Sequence, residues 1–283
     1  MPTETKTAAP ASRELTPFGQ VVNGVVSSAA MLGVVFPTMT ATAKAMASKQ
    51  QTSAAKALQP FSVVSAMRAV SGAYNGYGTA ISGTAPATVV AFLADSFGRR
   101  FFGESHEVAV AAGAGALAGF VNNPFERVKT VQQVDESKPT AKQVWRAVSS
   151  QEGSVRAAIR GAPLTMVREA FFNGTVLVGA KVFSPLYFFV PNDTLKTGAA
   201  VTTAAAVAGV ASTPVELLRV RVHKTGCSTL EAAAQVFKES GARGFFTGIG
   251  KRCFIFVVAV PTMFIAKAMA PKAFPDALFE EKK

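Results

Sequence analysis

Arg168 and Glu169 stand side by side in an otherwise apolar stretch, residues 161–190, which only Lys181 interrupts again. Charges deep in such a segment are unfavourable and usually functional. Adjacent opposite charges can satisfy one another or hold a charged solute. Two hexapeptides offer a second chemistry: Pro124-Phe-Glu126-Arg-Val-Lys129 and Pro214-Val-Glu216-Leu-Leu-Arg219. Both fit P-x-[DE]-x-x-[KR], a proline that kinks a helix followed by an acid and a base able to make and break ion pairs. Metal chemistry is not expected. Two cysteines (Cys227, Cys253) and two histidines (His106, His223) are too few and too scattered for a four-ligand site. No phosphate loop, nucleophile elbow, His-Glu-x-x-His or Gly-x-Gly-x-x-Gly fingerprint stands on a suitable frame, so an enzyme is not expected.

The elements that must position these groups are membrane spans. Of 283 residues, 49% are hydrophobic and 16% charged, with a mean hydropathy of +0.29. Soluble domains carry about 25% charged residues. Residues 15–43, 69–94, 108–125 and 197–215 hold no charge, and 161–190 and 253–270 hold few. About 20 apolar residues cross a bilayer as a helix, so six transmembrane helices are expected. Their Ala, Val, Gly and Thr suit helices packed on helices.

The net charge of +12 is unevenly placed. The long connections 44–68, 127–160 and 217–252 hold 18 Lys and Arg against five Asp and Glu. Basic loops stay on one side of a membrane, which puts these three in one compartment and both termini in the other. Because the basic residues follow this topology, nucleic-acid binding is not expected. Trp145 in the second loop is expected to anchor an amphipathic surface helix.

A unit recurs three times. Pro37, Pro124 and Pro214 close the odd-numbered spans, 87 and 90 residues apart. Gly76, Gly161 and Gly248 open the even-numbered ones. Glu152 and Glu239 stand nine residues before two of these glycines, and Met67 takes that place in the first unit.

These hexapeptides, at this period and each followed by a basic loop, resemble the mitochondrial carrier family over about residues 17–270. The resemblance implies an all-α membrane protein of six transmembrane helices in three pseudo-threefold-related helix hairpins. The repeats are read as 17–100, 101–190 and 191–272, between polar tails 1–16 and 273–283. It implies the mitochondrial inner membrane, with both termini towards the intermembrane space. It gives Pro37, Pro124 and Pro214 as helix kinks, and Glu126, Lys129, Glu216, Arg219 and Gln133 as a matrix-side gate. Lys44 and Arg221 fill the family's second basic place. Gly76, Gly161 and Gly248, with Arg160, are implied to hold cardiolipin phosphates; Arg243, Lys251 and Arg252 add charge nearby. Solute-contact positions fall at Gly83 and Thr84, at Arg168 and Glu169, and at Ile255 beside Phe256.

The first repeat departs from the pattern. Met39 replaces the acid and Thr42 the base. Of three cyclic ion pairs only Glu126–Arg219 is expected, with Glu216 facing Thr42 and Lys129 facing Met39. At the opposite end the family's second motif survives only at Arg99, with Asp95 one place early. Two functions follow. One is solute transport by alternating access, with an amino-acid-like or basic solute held by Arg168 and Glu169. The other is a transport-incompetent, carrier-shaped accessory subunit of a large inner-membrane complex such as one of the respiratory chain. No cofactor is expected beyond bound cardiolipin; the expected partners are membrane lipids, a small solute and, in the second case, other subunits.

Overall fold

In lipid a backbone must satisfy its own polar groups, so uncharged runs of this length become helices. The structure, a computed structural model, describes residues 13–47, 72–275 and 278–281. Met67 and most of the first basic loop lie outside the described residues. The helices are α1 (Pro17–Ala47), α2 (Tyr77–Phe102), α3 (Glu107–Val134), α4 (Ala141–Glu152), α5 (Ser154–Ile159), α6 (Ala162–Phe183), α7 (Asp193–Ala211), α8 (Thr213–Thr225), α9 (Thr229–Ser240) and α10 (Ile249–Met269). Strands β1 (Arg13–Leu15) and β2 (Phe279–Glu281) pair antiparallel, Leu15 opposite Phe279, and tie the two ends of the chain together.

Among the described residues α1, α2, α3 and the last span are long and apolar enough to cross a membrane. Helices α7 and α8, bent by 57° at their junction, meet the same criterion when taken together. Helix α6 is long enough but falls short in hydropathy, which Arg168, Glu169 and Asn173 lower. Neighbours pack in a closed ring: α1 on α2, α2 on α3, α3 on α6, α6 on α7, α7 on α10, and α10 back on α1. At one end the odd-numbered spans converge, with α1, α3 and α8 touching pairwise. An apolar cluster of Met46, Ala47, Leu217, Val220 and Val236 fills that end.

The prolines do not end the helices. Pro37 and Pro124 sit inside α1 and α3, which continue to Ala47 and Val134; only at Pro214 does the span break. Pro37 has no N–H to give the carbonyl four residues back, that of Gly33. Tyr74 takes this acceptor, its hydroxyl donating to the Gly33 carbonyl at 2.9 Å. Phe36 stacks on Tyr74 and Tyr77 meets both rings edge-on, and Tyr77 donates to the Ala29 carbonyl at 3.1 Å. That carbonyl lies within regular helix. Tyr74→Phe should therefore cost about 1 kcal/mol of stability, and Tyr77→Phe less; a thermal-shift series on the purified protein orders the two.

The repeat is legible in the packing. Gly76, Gly161 and Gly248 all have left-handed backbones, with φ of 86°, 79° and 87°. Each lies against the odd-numbered span of the next unit: Gly76 against Lys129 and Gln132, Gly161 against Val222 and His223, Gly248 against Thr42 and Met46. These contacts fall five to nine residues after the respective prolines, so the three units close cyclically.

The connecting helices α4 and α9 open with matching capping boxes. Thr140 and Gln143 exchange backbone and side-chain hydrogen bonds, as do Ser228 and Glu231. Trp145 lies half-buried on α4 beside buried Val144.

Candidate functional site

The charged residues singled out in the sequence meet where the odd-numbered spans converge. Arg219 Nη1 donates to Glu126 Oε2 at 2.7 Å, the one cyclic pair expected. The expectation that the other two positions hold lone charges needs correction. Lys129 folds back onto Glu126 of its own helix. Glu216 is held by Arg219 (2.6 Å), by Arg168 from α6 (3.2 Å) and by Arg252 from α10 (3.6 Å). Arg168 also bonds Glu169 and lies 3.8 Å from Glu126. Seven charged side chains, three acids and four bases, form one network drawn wholly from the second and third repeats. The physical reason is that a buried charge left unpaired is strongly destabilising. With Met39 and Thr42 in the first repeat, Glu216 takes Arg168 from α6 and Arg252 from α10, and Lys129 turns to Glu126 of its own helix.

The first repeat replaces charge with other contacts. Met39 packs against the apolar cluster of Leu32, Phe36 and Ala80. The Thr42 hydroxyl donates to its own helix, to the Thr38 carbonyl at 2.8 Å. Gln133 is buried and donates to Thr40 Oγ1 at 3.2 Å, while Thr40 donates to the Ala73 carbonyl at 2.7 Å. A neutral hydrogen-bond chain thus joins α1 and α3 where an ion pair is missing.

Arg168 and Glu169 are 15% and 26% exposed, Glu169 being the more accessible of the two. Gly83 does not share their surroundings. Its Cβ direction faces Asn122 and Phe125 of α3, so its small size serves helix packing. The Thr84 hydroxyl donates to the Ala80 carbonyl at 2.9 Å. Ile255 is half-buried on α10 and brings no polar group. One turn beyond Arg168 and Arg252, Phe172 and Phe256 stack with centroids 5.1 Å apart. This aromatic layer covers the ionic one.

Arg252 is misassigned by the sequence. It is buried, not a surface charge beside Gly248. The available signal was its position, a base one turn inside an apolar span. Arg160 is spent on Glu152 at 2.8 Å, and Arg127 forks onto the same carboxylate at 2.7 and 3.1 Å. Hydrogen bonds from Arg127 hold the Glu152 carboxyl below the usual carboxylate range. Arg221 pairs with Glu239 at 2.7 Å in the third unit. Asn123, beside Pro124, was not singled out either. Fully buried, it donates to the carbonyls of Ala158 (2.7 Å) and Arg160 (3.1 Å) and accepts from Thr165 Oγ1 at 2.8 Å. At the opposite end Asp95 pairs within its own helix with Arg99 at 2.8 Å, and Lys181 pairs with Glu107 across α6 and α3.

No curated protein matches the chain. The family described as mitochondrial carrier protein matches residues 105–188 and 191–277, the part of the chain that supplies every charge in the network. With a six-helix ring closed at one end by ion pairs after two of its three prolines, and a match over more than half its length, the chain belongs to the mitochondrial carrier family.

Proposed function

We propose that this carrier moves a zwitterionic, amino-acid-like solute across the mitochondrial inner membrane by alternating access. The observation that carries this reading is that Arg168 is shared between Glu169, beside it, and Glu216 of the ion-pair network. A solute carboxylate can take Arg168 while its ammonium group takes Glu169. The exchange leaves the buried charge unchanged, so no unpaired ion is stranded. It also draws Arg168 away from Glu216 and loosens the closed end, which on this reading faces the matrix. Glu126, Lys129, Glu216 and Arg219, with Gln133 and Thr40 on the charge-free side, act as the gate. A buried ion pair gains little beyond its desolvation, so a bound solute is enough to tip the balance. The backbone N–H groups that open α2, α6 and α10 suit lipid phosphates such as those of cardiolipin. The termini then face the intermembrane space.

Reconstitution into liposomes loaded with amino acids tests the reading. Uptake of neutral zwitterionic amino acids above empty vesicles is expected, reduced at least tenfold by Arg168→Ala. Uptake confined to nucleotides or dicarboxylates would overturn it.

A second reading, a carrier-shaped accessory subunit of a respiratory-chain or similar complex, is favoured by the Phe172–Phe256 stack over the network. Absence of uptake for every solute, together with co-purification in a large assembly, would establish it over the first.

A further inference from the structure

Arg252 stands four residues after Gly248, one turn into α10, and is 6% exposed. Its guanidinium reaches three ways. Nε donates to the Gly209 carbonyl at 3.2 Å and Nη2 to Ser212 Oγ at 2.9 Å. Nη1 faces Glu216 Oε2 at 3.6 Å. Gly209 precedes the break between α7 and α8, Ser212 stands at it and Glu216 follows it. One planar cation therefore bridges both arms of the 57° elbow.

The surroundings support this placement. At the break the Gly209 carbonyl also accepts from Thr213 Oγ1 at 2.9 Å, so side chains take an acceptor that a straight helix would give to its own backbone. Phe256, one turn further along α10, lies under the guanidinium at 5.5 Å. Its ring occupies the space that a side chain at Gly209 would need. The elbow, the aromatic layer and the ion-pair network thus meet at Arg252. Neither equivalent proline has such a break, since α1 and α3 run on through Pro37 and Pro124.

We propose that Arg252 is a positioning residue: it staples the α7–α8 elbow and so sets where Glu216 meets Arg168. The planar fork is essential, because a compact ammonium group cannot hold two hydrogen bonds to Gly209 and Ser212 and face Glu216 in one fixed geometry. A base that served only to neutralise Glu216 would be replaceable by lysine.

The elbow can be measured without any solute, so failure here is separable from failure of the transport reading. In full-length protein with Cys227 and Cys253 changed to serine, spin labels are placed at exposed Leu195 and Thr225, one on each arm. Straightening the elbow would lengthen their separation by about 5 Å at 1.5 Å rise per residue. Arg252→Lys and Arg252→Gln should each lengthen or broaden the distance distribution. Ser212→Ala should shift it in the same direction by less. This milder variant keeps the test valid if Arg252→Gln does not fold. A wild-type distance in Arg252→Lys would overturn the proposal and leave Arg252 as a simple counter-charge.

Discussion

Glu216→Gln should melt well below the wild type. The carboxylate sits among Arg219, Arg168 and Arg252, and its removal leaves three guanidinium groups with less negative charge than they need. Breaking a buried pair by removing one partner costs about 3–5 kcal/mol. In a chain of this size that is a fall of roughly 10 °C in the melting temperature, readable by thermal shift in detergent. Glu169→Gln should cost less, because Glu169 is the more exposed acid and its bridge is to Arg168 alone. The network makes a sharper demand on the double variant. Adding Arg168→Gln to Glu216→Gln removes one of the stranded cations, so the pair should lose less than the sum of the singles. Strict additivity would mean that Arg168 and Glu216 do not interact, contrary to the 3.2 Å contact.

Gly161→Ala should be the most damaging of the three glycine substitutions at the even-helix starts. All three positions have left-handed backbones, which cost an ordinary residue about 1–2 kcal/mol. At Gly161 an added Cβ would also stand 2.5 Å from His223 Nε2. His223 is 1% exposed, and its Nε2 lies 3.3 Å from Asn123 Oδ1, so the ring has little room to move. Overpacking adds about 1–3 kcal/mol. At Gly248 the nearest atom is the terminal methyl of Met46 at 3.3 Å, on a flexible side chain, so Gly248→Ala should cost the backbone strain alone. His223→Ala in the Gly161→Ala background should recover part of the loss. Equal melting temperatures for Gly161→Ala and Gly248→Ala would refute this ordering.

These contacts bear on how a degenerate repeat is tolerated. Among the described residues the first repeat adds no member to the ion-pair network at the closed end. It supplies Phe36, Met39, Tyr74 and Tyr77 as an apolar and aromatic wedge, and Thr40 as a neutral hydrogen-bond partner. The ion-pair network is correspondingly concentrated in the other two repeats. The stacked Phe172 and Phe256, from α6 and α10, lie one turn from Arg168 and Arg252.

Much of this architecture was legible from residue spacing. Charge-free runs marked most of the spans, because a helix in lipid must be predominantly apolar over about 20 residues. The prolines and glycines gave the period, since each answers a backbone requirement that is local in sequence. Glu126 opposite Arg219 followed from the family resemblance carried by that period. Spacing failed where a side chain's role depends on its direction. Gly83 falls at a solute-contact register, yet it faces α3. Arg252 falls among basic residues near a helix start, yet it points inward to the elbow.

By itself the sequence determined the six spans, their threefold repetition and the loss of the acid and base from the first unit's hexapeptide, all of which are written in short-range patterns of residue type. The tertiary structure decided which partners the orphaned charges took. Glu216 lies 48 residues from Arg168 and 36 from Arg252, and no periodicity relates them. Only closing the ring brings α6, α8 and α10 to one point, and there burial forces every ion to find a counter-charge within reach.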